Sequence, residues 1–279
     1  MRGKILVVDN LSTDQTEKIL KQYASGCLTV LKPDKPLFLG AARNLAIPHV
    51  TTKYVAWLDS DDIWGKEFLQ NAVEVLEDNS EVVAVCSGAI KIDGEGRVLP
   101  RSSQNWFVKT SEIKLEPGDT ALSALKNMKA CSPWSSYVFR TDTVRSAGGF
   151  SEELTYATDL DLIVKCLQFG KCARILKNNI SYRVHANQET QAQDPRTIHA
   201  DYELILKNYI SRRENDLRVF QFNQLVNVNR FKIRVKMFLR EHKVKDFISA
   251  VWILFYPAVF LWILGFLCQK AKLKLALEY

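Results

Sequence analysis

The stretch Tyr54-Val55-Ala56-Trp57-Leu58-Asp59-Ser60-Asp61-Asp62-Ile63-Trp64 runs from apolar to acidic within eleven residues. Five apolar residues in a row read as a buried strand. Three carboxylates then follow within four positions. In open α/β sheets ligands bind beyond the carboxyl ends of strands, which is where this cluster falls. Three carboxylates so close repel one another unless a cation is present. A divalent metal with hard oxygen ligands suits such a site, and a diphosphate would complete its coordination. The alternative is a solvated helix N-terminus, where Asp is favoured by the helix dipole.

Working outward, strand and helix signals alternate. Ile5 to Val8 is a short apolar strand, followed by a helix from about Thr13 to Tyr23. Thr13 with Glu17, or Ser12 with Gln15, could form its capping box. Leu28 to Leu31 is a second strand and Leu39 to Ile47 a short helix. Phe68 to Glu77 is an amphipathic helix and Val82 to Cys86 a further strand. Asp93-Gly94-Glu95-Gly96 marks a hairpin turn. Helices are expected at 120–129, 159–169 and 195–213, and a strand at 135–139. Such alternation implies a largely parallel sheet with helices on both faces.

Two blocks resemble family 2 glycosyltransferases of the GT-A fold. Gly40-Ala41-Ala42-Arg43-Asn44-Leu45-Ala46 followed by Leu58-Asp59-Ser60-Asp61-Asp62 is similar to that family's helix and its strand ending in L-D-x-D-D, a DXD motif. Val7-Val8-Asp9-Asn10-Leu11-Ser12-Thr13-Asp14-Gln15-Thr16 resembles its V-V-D-[DN]-x-S-x-D-x-T element. The resemblance implies a Rossmann-like, mixed but mostly parallel sheet of the nucleotide-diphospho-sugar transferase type. It also implies an inverting, metal-dependent hexosyl- or glycosyltransferase that moves a sugar from a nucleoside diphosphate to a saccharide or lipid-linked acceptor. Cell-surface polysaccharide synthesis is the expected setting and a UDP-sugar the expected donor. On matching positions, Asp9 and Asn10 would bind the base, Arg43 would lie near the nucleotide or its phosphates, and Asp59 would contact ribose or a metal-bound water. Asp61 would be the main protein ligand of Mn²⁺ or Mg²⁺.

Inverting transfer needs a base for the acceptor hydroxyl. Gly148-Gly149-Phe150-Ser151-Glu152-Glu153 and Thr158-Asp159-Leu160-Asp161-Leu162 resemble the family's G-G-F-d-E and E-D-x-D/E-L segments, which makes Asp159 the base. Thr158 stands where the family commonly has Glu. Helix N-capping is the competing role for Asp159. Asp161 reads as structural. Tyr182-Arg183-Val184-His185 resembles a Y-R-x-H element, which makes His185 a second candidate metal ligand. The resemblance covers about residues 4 to 190 and opens at the family's second strand, without the first strand-helix unit and its P-x-Y/F-N element. That leaves a catalytically impaired sugar-nucleotide-binding or scaffold protein at the membrane as the alternative. A nucleotidyltransferase ranks third, because no Gly-rich basic loop is found.

The net charge of +7 would fit a nucleic-acid binder, but its location argues against one. Residues 230–279 hold ten Lys/Arg against three Asp/Glu, and residues 1–229 hold 28 of each sign. The excess charge flanks Phe247 to Cys268, 22 residues without a charge and long enough to span a bilayer. A basic flank beside an apolar run favours an anionic membrane surface over nucleic acid. Seven Lys/Arg precede the run and three follow it, which places the catalytic part on the cytoplasmic face. Residues 1–229 are therefore expected as the GT-A-like domain and 230–279 as a membrane-associated segment. The six cysteines form no CxxC pair or zinc spacing and read as reduced thiols.

Overall fold

The structure, a computed structural model, describes residues 3–23, 26–100, 113–115, 132–186, 188, 194–211 and 235. The chain divides into two compact units, Met1–Gln193 and Asp194–Tyr279. In the second, helix α6 (Pro195–Ser211) buries Ile205, Leu206 and Tyr209. Residues 205 and 209 are four apart, the spacing of one helical face. The expected boundary at 229/230, the helix at 120–129 and the apolar run 247–268 lie outside the described residues. Among the described residues, no helix is long and apolar enough to cross a membrane.

The first unit opens with β1 (Ile5–Val8), α1 (Thr16–Gln22) and β2 (Leu28–Leu31), the two strands pairing in parallel from Ile5↔Leu28 to Val8↔Leu31. Neither expected capping box forms. The helix starts at Thr16, whose N–H is met at 2.9 Å by Asp14 Oδ1, a shorter reach than either box allows. Helix α2 (Leu39–Ala46) follows, then β3 (Tyr54–Ala56), β4 (Ile63–Trp64), α3 (Phe68–Asp78) and β5 (Val82–Ile92). After them come β6 (Ile113–Leu115), β7 (Tyr137–Arg140), α4 (Thr141–Ser146), α5 (Thr158–Cys166) and β8 (Lys171–Arg183).

The larger sheet has the order β3-β7-β5-β8-β4, with β6 also paired to β8. Among the described residues its one parallel ladder joins β5 and β8, while β3–β7, β5–β7, β4–β8 and β6–β8 are antiparallel. The expectation of a mostly parallel sheet is thereby corrected. Alternation along the chain predicts parallel neighbours only when consecutive strands lie side by side. Here β7 inserts between β3 and β5 and runs against both. The acidic strand is also shorter than its apolar run, because Trp57 and Leu58 leave the ladder after Ala56 and the chain returns as β4.

Both faces of β7 are buried, and period-two alternation sorts its side chains. Val138 faces a core with Phe68, Ala72, Val75 and Leu76 of α3 and Val82, Val85 and Ala89 of β5. Tyr137 and Phe139 stack with ring centroids 5.7 Å apart and join Trp57 and Trp134 in an aromatic layer. Arg140 ends β7 and closes the C-terminus of α3. Its guanidinium donates to the carbonyls of Val82 at 2.8 Å, of Asn79 at 3.1 Å and of Leu76. A cation on orphan carbonyls at a helix end is favourable.

A second arginine ties three loop ends together. Arg183, at the end of β8, donates its backbone N–H to Asp62 Oδ1 at 3.0 Å. Its side chain reaches Asp61 O at 2.8 Å, Asp93 O at 3.0 Å and Gly94 O at 2.8 Å. Asp62 is buried by this closure. Burial pushes its carboxyl up to about 6 from an ordinary 3.8, against the opposing hydrogen bonds from Ser135 and the Arg183 backbone. The folded state therefore holds the proton more tightly than the unfolded state. The contribution of this group to stability falls as pH rises from 3.8 to about 6, and is constant outside that window. Asp62→Asn keeps an oxygen for the Arg183 N–H and removes the ionisation. In urea unfolding, the variant should gain on wild type between the bottom and the top of that window. A variant-minus-wild-type difference that does not change with pH would contradict it.

Candidate active site

The three carboxylates after β3 do not converge; each has its own partner. Asp59 Oδ1 accepts from Arg43 Nη2 at 3.0 Å, and the Asp59 backbone N–H donates to Ser135 Oγ at 3.1 Å. Asp61 Oδ2 lies 3.1 Å from His185 Nε2, with about a third of each side chain exposed. Asp62 is turned inward onto the Arg183 backbone. The repulsion read from the sequence is thus relieved by separation and partners. Among the described residues, no three His, Cys, Asp or Glu side chains group to hold a metal ion. The Asp61–His185 pair still offers an anionic oxygen and an imidazole nitrogen close enough for one ion, a donor set that fits Mn²⁺ or Mg²⁺ completed by phosphate oxygens.

Helix α2 supplies the cation. Arg43 is 12% exposed in its side chain, and its guanidinium lies 5.1 Å from the Trp134 ring centroid and 5.5 Å from that of Phe150. Nη1 is 3.5 Å from Thr158 Oγ1, at the first residue of α5. A guanidinium suits this place because it is planar, weakly hydrated and able to stack on rings while donating at its edge. Thr158 gives Arg43 a neutral partner there. Asn44 of the same helix grips the chain ahead of α5. Its Oδ1 accepts the Phe150 N–H at 2.8 Å, and its Nδ2 donates at 3.0 Å to both Phe150 O and Glu152 Oε1.

Asp159 is the second residue of α5, inside the first turn and not at the cap, which is Ala157. Its Oδ1 accepts the N–H of Leu160 at 2.7 Å. Burial pushes its carboxyl above the ordinary carboxylate range; Arg43 opposes this and Asp59 adds to it. Asp161 is buried and ion-paired to Lys165 at 2.6 Å, in keeping with a structural role.

At the end of β1, Asp9 is buried. Its Oδ1 accepts from Ser12 N at 2.9 Å, and Lys32 Nζ lies 3.6 Å from Oδ2. Hydrogen bonds from the Ser12 side chain and backbone hold its carboxyl below the ordinary range, with Lys32 adding to them. Asn10 uses both ends of its amide on Leu37, with Nδ2 to O at 2.8 Å and Oδ1 from N at 2.9 Å. It latches the loop before α2. Between these loops Leu11 adopts φ 64, the left-handed region, which is costly without glycine.

Arg43, Asp59, Thr158 and Asp159 are therefore gathered in one place, with Asp61 on the same turn as Asp59 and His185, after β8, brought against Asp61. The sequence reading passed over Asn44, Ser135, Trp134 and Arg183. Asn44 and Arg183 were visible only as letters inside motifs. Ser135 was read only as the start of a strand and Trp134 lay just before it, and no local pattern says that this segment meets the acidic turn.

The sequence profile described as Glycosyl transferase family 2 matches residues 2–132. An uncharacterized glycosyltransferase of Nostoc sp. is 30% identical over 200 residues, 68% of this chain and 58% of that protein. Chondroitin synthase of Escherichia coli is 23% identical over 231 residues, 81% of this chain and 31% of that protein. Among solved structures, residues 1–349 of Staphylococcus aureus TarS, in complex with UDP, superpose with a TM-score of 0.63. That match has 22% identity and covers 90% of this chain and 72% of that one. The chain spans only 38% to 58% of the length of the first three curated relatives it matches. The profile match falls on β1 through β6, where the acidic turn and α2 lie, and the likeness to relatives and of fold extends past it. The α/β mixed sheet is GT-A-like, and residues 2–132 carry a glycosyl transferase family 2 domain.

Proposed function

We propose that this chain transfers a sugar, with inversion, from a nucleoside-diphosphate sugar to a hydroxyl of a saccharide or lipid-linked acceptor. The observation that carries the reading is Arg43. One guanidinium joins the acidic turn that would face the donor to the start of α5, where a desolvated carboxyl waits. Asp159 accepts the acceptor's hydroxyl proton as that oxygen bonds to the anomeric carbon. The bond from that carbon to the diphosphate breaks on the opposite face, and the nucleoside diphosphate leaves with the electron pair. A raised carboxyl is a stronger base than an ordinary one, provided the pH lies above its titration. Asp61 and His185 would hold a divalent cation, Mn²⁺ or Mg²⁺, and Asp59, oriented by Arg43, would reach ribose or a cation-bound water. Such an ion, when bound, neutralises charge on the departing diphosphate as a Lewis acid. Asp9 and Asn10 frame the place for the base. The UDP complex of TarS supports a UDP-sugar donor, and chondroitin synthase and the amylovoran enzyme of Erwinia amylovora support polysaccharide synthesis as the setting.

The proposal includes attachment to the cytoplasmic face of a membrane through residues 247–268. Full-length chain should sediment with membranes, and chain cut before Phe247 should not. Full-length chain soluble without detergent would remove the anchor.

Asp61→Ala should abolish the Mn²⁺-dependent part of UDP-sugar binding in calorimetry while leaving the fold intact, because the side chain is on the surface turn and holds no buried group. Unchanged metal-dependent affinity would overturn the assignment of Asp61.

Asp159→Asn should keep donor affinity and thermal stability and lower transfer by about 10²–10⁴-fold, the usual worth of a general base. In the wild type, kcat should fall as pH drops through a titration above the ordinary carboxylate range, because the working form is ionised. The residual rate of the variant should lack that limb. Robust transfer by Asp159→Asn with the limb intact would move the base elsewhere.

A further inference from the structure

We infer that Asn44 is a positioning residue for Asp159: it holds the loop ahead of α5 against α2 and so sets where the base stands. The inference rests on the proposed role of Asp159.

Asn44 engages the loop through both ends of one amide. Its acceptor takes the backbone N–H of Phe150, and its donor meets both the carbonyl of Phe150 and the carboxylate of Glu152. An amide matches a peptide unit in this way, while a carboxylate, hydroxyl or ammonium would supply only part of the pattern. Two glycines permit the approach. A Cβ on Gly149 would lie 2.7 Å from Asn44 Oδ1 and 3.0 Å from Ile47 Cδ1, at a residue with φ 69. A Cβ on Gly40 would lie 2.6 Å from Ser151 O and 3.3 Å from Thr158 Cγ2. Gly40 and Asn44 are four apart and share a face of α2, so the helix lies flat against the loop over a full turn. From the other side, Lys165 of α5 donates to Gly149 O at 3.2 Å. The loop is thus pinned between the helix that carries Arg43 and the helix that carries Asp159, and eight residues separate Phe150 from Asp159.

A bond that merely stabilises the fold and one that positions a base differ in what their loss changes. Misplacing a catalytic group by about 1 Å can cost about 10²-fold in rate without touching donor binding. In the full chain, Asn44→Ala should bind UDP-sugar with Mn²⁺ within about twofold of wild type and turn over about 10–100-fold more slowly. Its acid limb should move toward lower pH, because a loosened loop admits water to Asp159. Amide exchange should rise at Phe150 and Leu160 and not in β5 or β7. Glu152→Ala, an exposed change that removes one of the three bonds, should show the same pattern at smaller size and remains available if Asn44→Ala folds poorly. Turnover within about twofold of wild type, or donor affinity falling in step with kcat, would overturn the inference. So would a rise in exchange throughout the sheet. The two readings fail separately. Normal turnover and normal Phe150 protection in Asn44→Ala, beside an inactive Asp159→Asn, remove the positioning role alone. An active Asp159→Asn removes the base whatever Asn44→Ala does.

Discussion

The guanidinium of Arg43 is the contact on which the rest of the site depends. A charge that is 12% exposed is tolerable only when its hydrogen bonds are met and a counter-charge is near. Asp59 provides the charge at 3.0 Å, Thr158 a hydroxyl, and Trp134 and Phe150 two ring faces. Those partners come from the turn after β3, the first residue of α5, the segment before β7 and the loop before α5. Four parts of the chain are thereby held to α2 by one side chain. Removing it would leave Asp59 without its cation and the ring faces against an empty volume.

Much of this was legible in the sequence because it was local. β1, β2 and α2 fall where the apolar runs put them, α3 lies within a residue, and β7 starts two residues later than expected. The acidic turn follows β3, and Asp159 sits in the first turn of α5. What could not be read was pairing over distance. β7 enters the sheet between β3 and β5, out of chain order, and that insertion makes the larger sheet mostly antiparallel. β4 is two residues long and exists because β8, more than a hundred residues later, is there to pair with it. A window of eleven residues contains no information about either event.

The candidate site shows the same division. Residue types in a motif identified Arg43, Asp59, Asp61 and Asp159, and the fold gathers them. The motif could not say that three neighbouring carboxylates would be assigned to three different partners. That depends on Arg43, His185 and Arg183, which lie 16, 124 and 121 positions from the carboxylates they meet. Nor could it say that the amide of Asn10 would be spent on Leu37, where it orders the loop leading to α2.

Thr158 gives Arg43 a neutral partner, and the geometry shows what a carboxylate there would change. With Thr, the Arg43 charge is shared by two carboxylates, Asp59 in direct contact and Asp159 through its field. A Glu at 158 would add a third beside the same guanidinium and draw it away from the other two. Asp159 would then sit among more negative charge with less of the cation, and its carboxyl would rise further. Thr keeps the hydrogen-bonding role in neutral form: Oγ1 lies 3.5 Å from Nη1, and its methyl packs within reach of Gly40. A neutral Thr therefore adds no negative charge beside Asp159 and leaves the Arg43 field on it undiminished. It also leaves Arg43 more strongly committed to Asp59, so the orientation of the acidic turn hangs on one ion pair where a Glu would have made two.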